Sequence, residues 1–490
     1  MLMPGRRAAS LRMLIVVCAG CLSACASDFS VTERLDAGAM DGSISDAAGD
    51  AADANDGACQ LVPTATLPAW DGPAPPHLAQ VYNPVAGTGK YHNELEKGTD
   101  LQRLELSAPD ALCNDGTHAQ LYVRPATPGN EKKWVLYLQG GGGCVGHAEC
   151  SARWQGTQDG GYDATKMSTR YNPDTALAEG MFERSARNPV GGWNQVYFYY
   201  CSSDAFSGTN ANAILFDPTN SAAKPFSLRF LGRRILEGAI EQLKNGAAAT
   251  LKDSPGVVAY NMPALKDAET VILAGSSAGA AAVRRNVDWL ATKFNPSVNY
   301  TAIAEATVTT PAGRYGGARG IEFDECSARN DYAERERPNS HLTAFDESCK
   351  AAHEPTGDAW RCFDTHHVLH HHITTPLLLR HDLTDPKAVS LPKLAGITLE
   401  QWIAVQNEYF QTLVNRVDFD HEPERIARAP SFFAPNCGAH IVFHKDSYYQ
   451  HQVKISGAEV SMNDAVTRWL KGEPAFYAGD LSGTSSVCTK

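Results

Sequence analysis

The stretch TVILAGSSAGAAAV, Thr270 to Val283, decides the fold. Its first residues suit a buried strand, small residues then turn the chain, and AAAVRRNVDWLATKF is compatible with a helix. Gly275, Ser276, Ser277, Ala278 and Gly279 form Gly-x-Ser-x-Gly. In that motif a strained strand-to-helix turn lifts the central serine hydroxyl above the end of a sheet, and its neighbours must be small. Glycine and serine are common residues, so the weight lies in the strand before and the helix after. The plain alternative is a turn serine. What separates the two is whether the chain also supplies a base, an orienting acid and donors for an oxyanion.

Working outward, apolar strand candidates alternate with helical segments. LYVRP (121–125), WVLYLQG (134–140) and QVYFYYCSS (195–203) precede the motif; YTAIAEA (300–306) and PLLLRH (376–381) follow it. FLGRRILEGAIEQLKNG has helical spacing at Leu231, Ile235, Leu236, Ala239, Ile240 and Leu243. A helix over LEQWIAVQNEYFQTLVNRV and another at DAVTRWLKG complete the pattern. Continuous apolar strands separated by helices predict an α/β fold with a mostly parallel sheet covered on both faces. Chemistry then gathers at the carboxyl ends of the strands. Long loops, about 141–194 and 307–375, are expected to cap the site or wall its pocket.

A serine hydroxyl becomes a useful nucleophile when an imidazole takes its proton and a carboxylate orients the imidazole. In the α/β-hydrolase order the acid and then the histidine follow the serine. PLLLRHDLTDPKAV offers Asp382 and Asp385, and SFFAPNCGAHIVFHKD offers His440 and His444. Backbone donors for an oxyanion are expected from the N–H of Ala278 and from the glycine loop LQGGGGC, Leu138 to Cys144. That loop lacks both the Gly-Lys-Ser/Thr ending and the Gly-x-Gly-x-x-Gly spacing of nucleotide-binding loops.

The chain has 490 residues with ordinary globular composition and a formal net charge of −12, which argues against a nucleic-acid partner. Residues 1–25 read as an export signal. Arg6, Arg7 and Arg12 precede the short apolar run MLIVVCAGCL, and Leu22-Ser-Ala-Cys25 resembles a lipoprotein processing site that would lipidate Cys25 and anchor the chain to a membrane. Residues 26–58, rich in Asp, Ala, Gly and Ser, read as a disordered tether rather than calcium loops, because the glycine and glutamate positions of such loops are missing. Residues 59–490 read as one catalytic domain. Of thirteen cysteines, Cys18, Cys21 and Cys25 fall in the export segment, which leaves ten. An even number beyond an export signal predicts disulfides. Cys144 and Cys150 are close enough to pair locally, and no Cys-x-x-Cys among the ten points to zinc.

The chain resembles the pectin acetylesterase and Notum family of secreted carboxylesterases over roughly residues 95 to 470. LQGGGGCVGHAEC is similar to the family's Leu-Glu-Gly-Gly-Trp-x-Cys with a second cysteine after five more residues, a spacing that Cys144 and Cys150 keep. NPVGGWNQVYFYYCSSDAFSG, FLGRRILEGAI and ILAGSSAGA each resemble a family segment. The resemblance implies an α/β-hydrolase fold with Ser277 as nucleophile, His440 as general base and acid, and Asp385 as orienting carboxylate. It selects Asp385 over Asp382 by loop length, and His440 over His444 by the cysteine three residues before it. It implies oxyanion donors at Gly141, Gly142 and Ala278, and no cofactor or metal. The sequence departs at Gly142, where the family commonly has Trp, at Ala280, where it has Gly, and at Ala304-Glu305-Ala306, where an Asp-Ser/Ala-Gly segment is expected.

HHVLHHH, His366 to His372, holds five histidines. On a helix His366 shares a face with His370, and His367 with His371, which is metal-ligand spacing. No His-Glu-x-x-His frame accompanies them, so the expected reading is a surface or pocket-wall cluster with no functional metal. The expected function is removal of O-acetyl groups from a polysaccharide or other glycan. The alternatives are a lipid or protein O-deacylase, a metal-dependent hydrolase using the histidines, and a non-catalytic binding protein on the same scaffold. The sequence leaves the oligomeric state open.

Overall fold

The fold is read from a computed structural model that describes residues 70–87, 98–158, 160–306, 341–387, 398–415, 429–480 and 485–488, together with Arg329 and Tyr332. The export signal, Cys25 and the tether lie outside the described residues.

Among the described residues, ten strands pair into one sheet. In chain order they are β1 (Leu101–Glu105), β2 (Gln120–Arg124), β3 (Lys133–Leu138), β4 (Thr175–Ala176), β5 (Asn194–Phe198), β6 (Thr270–Ser276), β7 (Asn299–Glu305), β8 (Leu377–Arg380), β9 (Ser431–Ala434) and β10 (Tyr477–Gly479). Across the sheet the order is β10-β9-β8-β7-β6-β3-β5-β2-β1-β4. Only β2 and β4 run against the rest. This is the α/β-hydrolase arrangement.

The central strands read as unbroken apolar runs because both faces of the sheet are covered. Val271, Ile272, Leu273 and Ala274 of β6 are at most 1% exposed, as are Trp134 to Leu138 of β3. Burying one such side chain stabilises the fold by about 1.5–3 kcal/mol. Helix α1 (His147–Trp154) follows the glycine loop, α2 (Gly232–Lys244) precedes β6, and α3 (Ala278–Ala291) leaves it. In α2 the buried residues include Ile235, Leu236, Ala239, Ile240 and Leu243, the stripe that the spacing predicts. Later come α4 (Glu347–His353), α5 (Thr365–His371), α6 (Leu399–Asn415) and α7 (Met462–Leu470). Among the described residues no helix is long and apolar enough to cross a membrane.

Four strands of the sheet were not foreseen. β1 mixes polar and apolar residues, while β4, β9 and β10 are no longer than four residues. Four disulfides join described cysteines: Cys113–Cys201, Cys144–Cys150, Cys349–Cys362 and Cys437–Cys488. Cys59 and Cys326 lie outside the described residues.

Candidate active site

Strand β6 ends at Ser276, and α3 starts at Ala278. Ser277 alone makes the turn, with φ 55° and ψ −119°. A non-glycine residue in that region costs about 1–3 kcal/mol and persists where the surroundings enforce it. Enforcement comes from close packing. A Cβ on Gly279 would lie 1.9 Å from the carbonyl oxygen of Leu138, and one on Gly275 would lie 2.4 Å from that of Gly279. Helix and strands approach so closely that only hydrogen fits at these two positions. The Ser277 N–H donates to Glu305 O at 2.8 Å, which fastens the turn to the end of β7.

The carboxyl ends of two further strands bring the other groups to Ser277. Asp385 lies in the loop after β8, and His440 in the loop after β9. His440 Nε2 is 2.9 Å from Ser277 Oγ, and His440 Nδ1 is 2.7 Å from Asp385 Oδ2. The network assigns the tautomer: the Nδ1–H donates to the carboxylate, and Nε2 accepts from the serine hydroxyl. Asp385 is 1% exposed. Burial pushes its carboxyl up, but the hydrogen bond and charge of His440 outweigh that and hold it below the ordinary value. Asp382 and His444, the alternatives left by spacing alone, go elsewhere. His444 Nδ1 is 3.1 Å from the Tyr137 hydroxyl, and Asp382 accepts from the backbone N–H groups of Cys437 and Gly438 at 3.1 and 3.0 Å.

The glycine loop lies against the same turn. A Cβ on Gly140 would come within 3.0 Å of Ser277 Cβ. Gly141 and Gly142 have φ of 145° and 62°. Their carbonyls are tied down: buried Arg153 donates to Gly141 O at 2.7 Å, and the Tyr200 hydroxyl donates to Gly142 O at 2.9 Å. Among the described residues, no acceptor takes the N–H of Gly141 or Gly142. Ala278 is the first residue of α3, where the helix dipole favours negative charge. The Cys144–Cys150 bridge ties this loop to α1. The space that a side chain at position 142 would take is occupied: its Cβ would meet the Tyr162 ring at 2.8 Å.

Sequence reasoning missed a buried charge network behind His440. Glu305, Arg380 and Asp382 end or follow β7 and β8 and are fully buried. Glu305 accepts from the N–H groups of Val442 and Phe443 at 2.6 and 3.2 Å and from Ser276 Oγ at 2.6 Å. Arg380 donates to the carbonyls of Ala439 and His440 at 3.0 and 2.9 Å, and lies 3.4 Å from Glu305 and 3.2 Å from Asp382. Three charges therefore grip the backbone on both sides of His440. Burial raises the Glu305 carboxyl despite the nearby Arg380. The signal available in sequence was a lone Glu and a lone Arg, each closing an apolar strand.

His381 is also buried, 5.7 Å from the Phe410 ring, and neither ring nitrogen has a hydrogen-bond partner among the described residues. Burial, with Arg380 and His440 nearby, lowers it to about 4 although Asp385 opposes the shift. The native state therefore favours the neutral ring. Its contribution is complete above the unfolded value near 6.5 and is lost as pH falls from there to about 4. Stability is expected to fall by about 3 kcal/mol over that window from this residue. Urea midpoints at pH 7, 5.5 and 4 check this; His381→Leu should flatten the dependence, and an unchanged slope would reject the assignment.

The histidine run pairs in part as its spacing suggested: the rings of His367 and His371 lie 4.7 Å apart. His370 is fully buried. His367 also meets His353 from α4 and His372 from beyond the end of α5, neither of which the spacing brings to it. Burial, reinforced by the crowding of like rings, lowers His367 to about 3 and His372 to about 4.

Residues 96–482 match the profile of the pectinacetylesterase family. The chain is 27% identical over 377 residues to palmitoleoyl-protein carboxylesterase notum2 of Xenopus laevis, covering 74% of this chain and 66% of that protein. It is 25% identical over 398 residues to palmitoleoyl-protein carboxylesterase NOTUM of Drosophila melanogaster, covering 79% and 50%. It thus spans between half and two thirds of these relatives. The crystal structure of the Wnt deacylase Notum from Drosophila, crystal form II, superposes with a TM-score of 0.54 at 24% identity, over 76% of this chain and 93% of that one. With a match that runs through β1, the serine turn and both partner loops, the chain belongs to the pectinacetylesterase family, a family of carboxylic ester hydrolases.

Proposed function

We propose that the protein is a serine carboxylesterase that removes short acyl groups, O-acetyl foremost, from a polysaccharide or other glycan. The observation that carries the reading is the unbroken hydrogen-bonded chain from Ser277 through His440 to Asp385. Ser277 Oγ attacks the ester carbonyl carbon while His440 Nε2 takes its proton. The N–H groups of Gly141, Gly142 and Ala278 receive the oxyanion. Collapse expels the alcohol, protonated by His440, and leaves an acyl-serine. Water, deprotonated by the same imidazole, then releases the carboxylate and restores the hydroxyl. Asp385 stays ionised throughout and stabilises the imidazolium.

The short-acyl preference rests on the family match and on the Tyr162 ring, which fills space beside the oxyanion loop. The second reading, a long-chain protein O-deacylase, rests on the names of the relatives. Rates on p-nitrophenyl acetate, butyrate and octanoate separate them. At least a tenfold preference for acetate over octanoate is expected, since the binding penalty of a few misfitted methylenes is about 1–3 kcal/mol each. A preference for octanoate would reject the acetylesterase reading. Release of acetate from acetylated pectin then tests the glycan.

We further propose that the chain works outside the cytosol, anchored through lipid on Cys25. Four disulfides support an oxidising compartment.

A further inference from the structure

We propose that His353, His367 and His372 form a binding site for a divalent transition-metal ion of the zinc type, separate from the serine site. His353 Nε2 lies 2.7 Å from His367 Nε2, and His372 Nε2 lies 3.2 Å from the same atom. The three ring nitrogens fall within 4.8 Å of one another. Tetrahedral zinc, with Zn–N near 2.0–2.1 Å, sets ligand nitrogens about 3.3 Å apart, so small ring rotations suffice.

Proton counting argues that these nitrogens are short of a partner. His353 Nδ1 is 3.1 Å from Asp358 Oδ2, a pure acceptor, so the proton of His353 sits on Nδ1 and its Nε2 carries a lone pair. The Ser348 hydroxyl gives its proton to Asp346 at 2.7 Å. Ser348 Oγ, 3.1 Å from His372 Nδ1, is therefore an acceptor there, and His372 also presents a lone pair at Nε2. Two lone pairs thus face one nitrogen of His367, which has at most one proton to offer. A cation satisfies all three rings at once. The Asp358 and Ser348 contacts are the outer hydrogen bonds that orient metal-binding imidazoles and raise their basicity. Cys349 lies beside the cluster but is bonded to Cys362, so it is not a ligand. Three imidazoles without thiolate or calcium-type oxygen ligands select zinc or its neighbours in the late first row.

The site's place in the fold defines its role. His353 ends α4, His367 lies in α5, and His372 follows α5. A metal would clip α4 to α5, where the Cys349–Cys362 bridge already ties α4 to the turn just before α5. Arg284 of α3 donates to Thr365, at the start of α5. It lies seven residues, or about 10 Å of helix, beyond Ser277. The ion therefore holds the segment that leads into β8 and takes no part in ester cleavage.

The test uses the full chain, purified without a histidine tag and stripped with chelator. Calorimetric titration with Zn2+ is expected to give one sub-micromolar site, and Zn2+ is expected to raise the melting temperature by about 5 °C. His367→Ala and His372→Ala should each weaken binding at least tenfold, with melting in chelator unchanged. Binding no tighter than millimolar, or equal binding by wild type and variants, would overturn the site. If the variants misfold, the visible spectrum of the Co2+-loaded wild type decides: intense bands of a four-coordinate ion support it, and a weak six-coordinate spectrum rejects it. Hydrolysis of p-nitrophenyl acetate should stay within twofold on chelation; a loss that Zn2+ restores would overturn the purely structural role.

Discussion

Ser277→Ala is expected to lower kcat/KM on p-nitrophenyl acetate by on the order of 10⁴- to 10⁶-fold while leaving the melting temperature near that of the parent. The substitution removes one oxygen and keeps a Cβ, so the φ of 55° and the packing of Gly275 and Gly279 are undisturbed. What is lost is the atom 2.9 Å from His440 Nε2. A fluorophosphonate probe, which needs an activated serine, should label the parent and not the variant. Because the three side chains act as a unit, adding His440→Ala to Ser277→Ala should cost little more. Equal labelling of parent and variant would sink the assignment of Ser277.

The second large effect is expected at a residue that does not touch substrate. Arg380→Leu should destabilise the protein by about 3–5 kcal/mol, the cost of leaving buried carboxylates without their cation. Glu305 and Asp382 would both be stranded at full burial, and the carbonyls of Ala439 and His440 would lose their donor. The loop that carries His440 then loosens, so kcat should fall at least tenfold with KM little changed. Glu305→Gln provides the milder comparison. It keeps the shape and an acceptor for one backbone N–H but removes the charge opposite Arg380. Its melting temperature should drop less, while the rate of fluorophosphonate labelling still falls. A variant with parental labelling and parental kcat would show that the network supports the fold without positioning the imidazole.

The centre of the fold was legible because it is written in local chemistry. Strand, small-residue turn and helix follow one another at Thr270 to Ala291, and an apolar strand precedes the loop of Asp385. The serine–acid–histidine order could be read along the chain, although choosing Asp385 and His440 over their neighbours needed the family resemblance. The unread parts depend on pairing between distant segments. Strand β1 has no periodicity of its own and is a strand because β2 and β4 flank it. Glu305 and Arg380 look like surface charges until two strands set them side by side at zero exposure. His353 stands outside the histidine run, fourteen residues before His367, and only the packing of α4 on α5 introduces it. The tyrosine that fills the space at Gly142 is likewise twenty residues away in the chain.

The bridge from Cys437 to Cys488 bears on how firmly the imidazole is held. Cys437 opens the loop that holds His440, and its partner lies 51 residues on, past β10, beside the stretch where Asp480 gathers the backbone of Ser485 and Ser486. The imidazole's loop is thus held twice, by the Glu305, Arg380 and Asp382 contacts and by a covalent tether that exists only where thiols are oxidised. A reductant strong enough to open the bridge would leave the ionic contacts in place but cut this covalent tether, so the same fold would carry a looser imidazole.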